Sequence, residues 1–305
     1  MEVNNDEYVA ALDLGTNTFN LAIAKSKAPF RIVLRKERGV FLGKGGLAKQ
    51  IILPSAIKRA QDVLTKYSAI LSEYSLVKVR CVATEAIRNA QNSKEVLKHL
   101  EINVPFTVET IPGEHEAELV YKGVKSTGIL DDNNVLIVDI GGGSVEFIIA
   151  NKSGIHWKKS FKIGISRALE SYPLSNPPTK DELLNHTNYF RDNLIELKEN
   201  LEKYDFKTLI GTAGSFDSWR KIISPEKSGP TCSLDKEILL NTIKTINSLS
   251  LQKRKKIEGM EEMRIETIAP AGVLLSYLLD SFTFEYIYQC SFSLSEGVLW
   301  EMIYN

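Results

Sequence analysis

One pattern occurs twice in this chain, and it limits the possible folds more than any other feature. Asp13-Leu-Gly-Thr-Asn-Thr-Phe-Asn-Leu-Ala-Ile-Ala24 aligns without a gap on Asp139-Ile-Gly-Gly-Gly-Ser-Val-Glu-Phe-Ile-Ile-Ala150, with Asp, Gly, Ile and Ala identical. Each copy has a short apolar run, an Asp-x-Gly turn and a second apolar run, which reads as strand, tight polar turn, strand. Two such units, each heading one half of the chain, predict a duplicated domain. The polar stretch 126–134, with Gly128, Asp131 and Asp132, is the expected junction. The predicted domains are therefore residues 1–127 and 128–305.

The rest of the chain alternates between the two periodicities. Ile32–Glu37 and a continuation to Leu42 read as strand, followed by a turn at Gly43–Gly46. Ile57, Ala60, Val63, Leu64, Tyr67, Ile70, Leu71 and Tyr74 recur at helical spacing after Pro54-Ser55, so Ser55–Tyr74 is predicted as an amphipathic helix. Val77, Val79, Cys81 and Ala83 alternate as a strand that runs into Thr84, a predicted N-cap, with a helix through Arg88. Val104–Ile111 reads as strand, Pro112-Gly113 as turn and Glu114–Lys122 as helix. In the second half, Trp157–Ile163 alternates and Thr179-Lys-Asp-Glu182 forms a capping box. Thr208–Ile210 is a strand opening into Gly211-Thr-Ala-Gly214-Ser215. Asp235–Leu249, Pro270–Leu279 and Gly297–Ile303 read as helices. Strands and helices alternating throughout give an α/β class.

Charge and cysteine usage narrow the function classes. The 305 residues carry 38 basic and 38 acidic side chains, a balance that argues against a dedicated DNA binder or a polybasic membrane binder. It leaves room for an anionic substrate, which needs only local positive groups. Cys81, Cys232 and Cys290 are scattered, without a C-x-x-C pair, so neither a disulfide framework nor a zinc knuckle is expected. A reducing, cytoplasmic setting is the expectation. The acidic start, Met1–Glu7, resembles no targeting signal, and no apolar run approaches the ~20 residues of a membrane span.

Chemistry concentrates at the glycine turns. Gly15, Thr16, Asn17 and Thr18 in the first, and Gly141, Gly142, Gly143 and Ser144 in the second, can present backbone N–H groups and hydroxyls to an anion. Asp13 and Asp139 stand ahead of these turns and alone would repel phosphate; with Mg²⁺ between they become ligands. One such turn would read as an ordinary hairpin, whereas two favour phosphate binding. Gly214 and Ser215 form a third turn that either merely connects or also cradles phosphate at a helix start. Arg88, read as lying early in a helix, opposes the macrodipole there, which a nearby anion would offset. Glu114, Glu116 and Glu118 crowd the next helix start. Acids there are ordinary stabilising residues, and one of them facing a phosphate site would be a general base. His99, His115, His156 and His186 show no metal-ligand spacing, and His115 reads as exposed. Lys158, Lys159 and Lys162, and the run Lys253-Arg254-Lys255-Lys256, read as solvated faces.

Taken in order, Asp13–Phe19, Leu42–Gly45, Ala83–Asn92, Ile111–Ala117, Asp139–Glu146, Gly211–Ser215 and Glu296–Leu299 resemble the motifs of the exopolyphosphatase/guanosine pentaphosphate phosphohydrolase family. The resemblance spans about Val9 to Glu301. It implies two ribonuclease H-like domains of the actin-like ATPase superfamily with a phosphate-binding cleft between them. It implies that Glu116 orients or deprotonates the attacking water, that Arg88 contacts the phosphoryl group, and that Asp139 and Glu146 lie near Mg²⁺. The implied reaction releases orthophosphate from the end of inorganic polyphosphate, or from guanosine pentaphosphate (pppGpp). A homodimer is the family's habit.

The sequence departs from that family at several places. Asn20 stands where relatives often have Arg or His. Phe41 stands where the residue is often basic, Lys44 where an acid is common, and Ser295 where Arg is frequent. These departures bear on substrate choice. Longer relatives continue past the equivalent of Asn305 with helical domains for long polyphosphate, so this chain reads as a short form. A small-molecule kinase and a non-catalytic alarmone-binding regulator are the competing classes.

Overall fold

The computed structural model describes residues 6–304. Most of the acidic start read as carrying no targeting signal, and the final residue, lie outside them. The chain divides into two compact units, Met1–Ser126 with Ser293–Asn305, and Thr127–Phe292.

In the first unit the duplicated pattern becomes β1 (Tyr8–Leu14) and β2 (Thr18–Lys25), followed by β3 (Ile32–Gly39). Next come α1 (Pro54–Leu71), β4 (Leu76–Ala83), the single turn α2 (Glu85–Arg88), α3 (Ser93–Leu100), β5 (Val108–Thr110) and α4 (Gly113–Ser126). Among the described residues these strands form one five-stranded sheet in the order β3-β2-β1-β4-β5. β1 is antiparallel to β2 and parallel to β4, and β4 is parallel to β5. β1 is buried on both faces from Val9 to Leu14, which explains why its sequence is almost continuously apolar rather than alternating. The predicted helical stripe lies against the sheet through Ala56, Ile57, Ala60, Leu64, Tyr67 and Leu71. Three local expectations are corrected. The strand expected to reach Leu42 stops at Gly39, Val104–Ile111 shortens to Val108–Thr110, and Thr84 precedes α2 without a side-chain capping bond.

The second unit repeats the plan with β6 (Val135–Ile140), β7 (Val145–Asn151), β8 (Gly154–Phe161), α5 (Ile165–Ser171), α6 (Lys180–Asn193), α7 (Ile195–Leu201) and β9 (Thr208–Thr212). It continues with α8 (Gly214–Ile223), β10 (Thr231–Ser233), α9 (Lys236–Asn247), α10 (Leu251–Arg254), a 3₁₀ turn at Glu262–Arg264, α11 (Ile268–Ser281) and β11 (Tyr286–Cys290). The described strands form a six-stranded sheet, β10-β11-β9-β6-β7-β8, with β6, β9 and β11 parallel. The capping box before α6 is present: Glu182 N–H donates to Thr179 Oγ1, and the Glu182 carboxylate accepts from Thr179 N–H. Hydrogen bonds from the Ser175 hydroxyl, Thr179 N–H and Ser175 N–H hold the half-buried Glu182 carboxyl down at about 2.

The last helix, α12 (Leu294–Tyr304), belongs to the first unit, which corrects the expected division into 1–127 and 128–305. It packs on α4 at glycines. A β-carbon on Gly297 would lie 1.8 Å from the Leu119 carbonyl oxygen, and one on Gly123 would lie 2.1 Å from the Ser293 carbonyl oxygen. Polar contacts fix it further. Glu296, 1% exposed, pairs with Arg35 at 2.9 Å and accepts from Ser293 N–H at 2.9 Å. Glu301 pairs with Arg80 and, at 2.6 Å, with Lys122. No helix among the described residues is long and apolar enough to cross a membrane.

Candidate active site

In the first unit, parallel β1, β4 and β5 end at one edge of the sheet, with Leu14 beside Ala83 and Ala83 beside Thr110. Side chains that follow the carboxyl ends of parallel strands converge there, where open α/β sheets bind ligands. β1 delivers the first glycine turn, β4 delivers Arg88, and β5 delivers Glu116. The turn is closed by Gly15 N–H on the Thr18 carbonyl at 3.0 Å, and a β-carbon on Gly15 would lie 2.9 Å from that same oxygen. Of the three crowded glutamates, Glu114 is exposed, Glu118 is half-buried beside His115 at 3.1 Å, and Glu116 is buried. His115 is half-buried rather than exposed.

Arg88 Nη1 donates to Glu116 Oε2 at 3.0 Å and to the Ile111 carbonyl at 2.7 Å, while Nη2 donates to Glu85 Oε2 at 2.9 Å. Burial works against the guanidinium charge, but Glu116 and Glu85 more than offset it, so the pKa of Arg88 rises further and the group stays cationic. The macrodipole argument for Arg88 is overturned, because Arg88 is the last residue of α2 rather than an early one. What the two buried carboxylates offset is the burial of its guanidinium. The sequence reading missed Glu85, which is 2% exposed; its i, i+3 spacing to Arg88 is the signal that could have found it.

In the second unit, Gly141 N–H closes the second turn on the Ser144 carbonyl at 3.1 Å, matching the first. The carbonyls of Gly141, Gly142 and Gly143 accept from the amides of Ile165, Ser166 and Gly164 at 2.9 to 3.1 Å. The third turn lies alongside, because β9 ends next to β6 with Thr212 opposite Asp139. Ala213 and Gly214 take φ values of 42° and 49°, and Ser215 is buried. A β-carbon on Gly214 would lie 3.8 Å from Nη1 and Nη2 of the buried Arg264. Arg264 was also missed, and it is a lone arginine in the sequence with no neighbouring motif to mark it. Arg254, expected on a solvated basic face, is instead 2% exposed, with Nε on the Ile246 carbonyl at 3.0 Å. Lys159, from the other basic segment, pairs with Glu196.

The duplicated strands differ at one informative register position. Asp13 faces Asn20 across β1 and β2, and the Asn20 amide donates to Asp13 Oδ2 at 2.9 Å. Asp139 faces Glu146 at the same place across β6 and β7. Directly opposed carboxylates repel each other, and a hard cation turns that repulsion into ligation. The donor set at Asp139 and Glu146 therefore fits Mg²⁺. Among the described residues no group of three or more His, Cys, Asp or Glu stands together as a metal ligand set, so water and phosphate oxygens would complete the coordination, as Mg²⁺ prefers. Of the other departures, Phe41 has φ 50° with Lys44 6.0 Å from its ring centre, and buried Ser295 donates to Glu296.

Residues 22–305 match the model described as the Ppx/GppA phosphatase family. The chain is 31% identical over 296 residues to the bifunctional 3-dehydroquinate synthase/phosphatase of Fusobacterium nucleatum, covering 91% of this chain and 44% of that protein. It is 29% identical over 311 residues to the guanosine-5'-triphosphate,3'-diphosphate pyrophosphatase of Photobacterium profundum, covering 96% of this chain and 59% of that protein. The chain thus spans about half the length of these curated relatives. A crystal structure of an exopolyphosphatase from Cytophaga hutchinsonii superposes with a TM-score of 0.93 at 32% identity, covering 97% of each chain. The two-unit α/β architecture is that of the actin-like ATPase fold.

Proposed function

Because the chain belongs to the Ppx/GppA phosphatase family, we propose that it is an exopolyphosphatase, hydrolysing the terminal phosphoanhydride of inorganic polyphosphate with Mg²⁺ and releasing orthophosphate. The observation that carries this reading is the buried Glu116 held 3.0 Å from Arg88 at the carboxyl edge of the first unit's parallel strands. Phosphoryl transfer needs positioning and charge neutralisation more than covalent chemistry, and these two side chains supply one of each.

Glu116 orients a water molecule and accepts its proton. The water oxygen bonds to the terminal phosphorus as the bridging P–O bond breaks, and the shortened chain leaves with that bond's electrons. Arg88 pairs with the phosphoryl oxygens, where negative charge is concentrated. In the first unit the Gly15–Thr18 turn holds phosphate through its hydroxyls and through its amides other than that of Gly15, which closes the turn. Gly141 to Ser144, with Gly214 and Ser215, do so in the second. Asp139 and Glu146 would hold Mg²⁺, which when bound neutralises phosphate charge. Asp13 would serve its own turn in the same way, with water between. The soluble cytoplasmic setting and the homodimer expected from the resemblance belong to this same reading.

A second reading, hydrolysis of guanosine pentaphosphate, is favoured by the likeness to the Photobacterium protein. Against it stands Asn20, a neutral amide already engaged with Asp13 where a cation would help to grip a highly charged nucleotide.

The deciding experiment supplies short polyphosphate, long polyphosphate, guanosine pentaphosphate and ATP in parallel, with Mg²⁺, and measures orthophosphate. Faster release from polyphosphate than from either nucleotide supports the proposal. Faster release from the pentaphosphate moves the activity to that substrate. No release from a folded, Mg²⁺-supplied sample sinks both readings in favour of a kinase or a binding regulator. Glu116→Gln is expected to lower kcat by on the order of a thousandfold or more while the protein still folds; near-normal release would remove Glu116 from the mechanism.

A further inference from the structure

We propose that Arg59 is a positioning residue for the first glycine turn, clamping the segment behind it so that the turn's amides stay directed at the bound phosphate. This rests on the reading of that turn as a phosphate site, and it adds a residue that no motif marks.

In a planar trans peptide the C=O and the following N–H point in opposite directions. The Thr16 carbonyl accepts from Gly43 N–H at 3.2 Å, and the Asn17 carbonyl accepts from Val40 N–H at 2.8 Å and Phe41 N–H at 2.9 Å. Both carbonyls are thus turned back onto residues 40–43. The N–H groups of Asn17 and Thr18, on the far side of the same peptides, are turned the opposite way. Whatever holds residues 40–43 therefore sets the direction of the turn's donors.

That segment is not held by regular structure. β3 has ended at Gly39, and Phe41 adopts φ 50°, a conformation disfavoured for an aromatic residue. Arg59, on α1, supplies the restraint. Its Nε donates to the Val40 carbonyl at 2.8 Å and its Nη2 to the Phe41 carbonyl at 2.9 Å. Its Nη1 donates to the Ser55 carbonyl at 3.2 Å, tying the fork to the first turn of its own helix. A guanidinium offers such donors in a rigid plane, whereas a lysine ammonium offers a single point on a flexible stem. The Val40–Phe41 peptide accepts from Arg59 at its oxygen and donates to Asn17 through its N–H, so the arginine's charge polarises a short hydrogen-bond chain that ends on the phosphate turn.

The second unit solves the same problem with different parts. There the backing donors are the amides of residues 164–167, and an arginine, Arg167, again reaches a turn carbonyl, with Nε 3.3 Å from the Gly143 oxygen. Each duplicated turn thus has a shell of backbone donors behind it and an arginine on that shell or on the turn itself. In the first unit the arginine comes from a helix more than forty residues away in sequence.

The test uses the full-length protein and three measurements on Arg59→Ala and Arg59→Lys. These are steady-state orthophosphate release from tripolyphosphate with Mg²⁺, amide hydrogen exchange over residues 15–18 and 40–43, and the thermal midpoint. The expected result for Arg59→Ala is a KM raised on the order of ten- to a hundredfold, a smaller fall in kcat, and faster exchange in both segments. Arg59→Lys is expected to keep the wild-type midpoint without recovering KM, and low millimolar guanidinium to restore part of the Arg59→Ala activity. Unchanged KM and unchanged exchange in a folded Arg59→Ala would overturn the proposal, as would a wild-type KM in Arg59→Lys. If Arg59→Ala does not fold, Arg59→Lys decides. If the wild-type protein releases no phosphate from any substrate, the functional reading fails, and hydrogen exchange alone still decides whether Arg59 clamps the turn.

Discussion

Glu146 and Asn20 occupy equivalent places in the two copies of one pattern, yet they meet the aspartate opposite them in different ways. Asn20 gives Asp13 a hydrogen bond; Glu146 brings a second negative charge to Asp139 and takes its own hydrogen bond from Ser160 Oγ at 2.6 Å. Glu146→Gln removes the repulsion while keeping an acceptor for Ser160. In chelator-treated protein it is expected to leave stability unchanged or raise it by about 0.2–1 kcal/mol. Added Mg²⁺ should raise the thermal midpoint of the wild-type protein and not that of the variant, since a ligand stabilises only the state it binds. Equal Mg²⁺ shifts in both would place the cation elsewhere. At this scale the sequence was readable where type and spacing coincide. The two Asp-x-Gly turns between paired strands needed no coordinates. Glu85 and Arg264 were not readable in that way. Glu85 pairs with Arg88 one turn along the same short helix and Arg264 lies beside the third glycine turn, but a lone charge in a sequence looks the same whether it is solvated or buried. Arg254 shows the reverse error: a run of four cations looks like a solvated face, and one of the four is inside.

Among the elements, α4 matters most, because it carries Glu116 and its position depends on α12. The two helices approach so closely that glycine is required at the contact, with the Leu119 carbonyl 1.8 Å from where a β-carbon on Gly297 would sit. The clash is with backbone, so no side-chain rotation relieves it. Gly297→Ala is expected to destabilise the protein by about 3 kcal/mol and to reduce phosphate release through the displaced Glu116, measured as the urea midpoint and kcat on one preparation. A wild-type midpoint would show that α12 can slide along α4 at little cost. The sequence announced this helix through its apolar residues and marked Gly297 as part of a motif, but not which sheet it packs against. Periodicity reports that a face is buried and says nothing about its partner. The strands β1 and β6 were easier, because burial on both faces leaves a continuous apolar run.

For the whole molecule, the decisive fact is that the chain returns to its first unit at the end, which a division of the sequence into halves could not foresee. Glu301 is one of the ties. Burial alone would raise its carboxyl pKa, but the hydrogen bonds from Lys122 and Arg80 more than offset that and hold it below the ordinary value. A depressed carboxylate contributes stability that is present above its unfolded pKa of about 4.3 and is lost as pH falls through the folded value. Glu301→Gln is therefore expected to lower the thermal midpoint at pH 7 and to flatten its decline below about pH 4.5. Parallel pH profiles for variant and wild type would show that Glu301 contributes nothing to acid stability. The same return has a consequence for how the protein is made. Residues 127–292 form one uninterrupted stretch, whereas the first unit lacks α12 until Leu294–Tyr304 has been translated. At ~5–20 residues per second, roughly ten to thirty seconds separate the end of α4 from the start of α12 on the ribosome. The unit translated first is thus completed last. Throughout that interval the face of α4 that α12 will cover is bare in the nascent chain, a target for chaperones before the enzyme is whole.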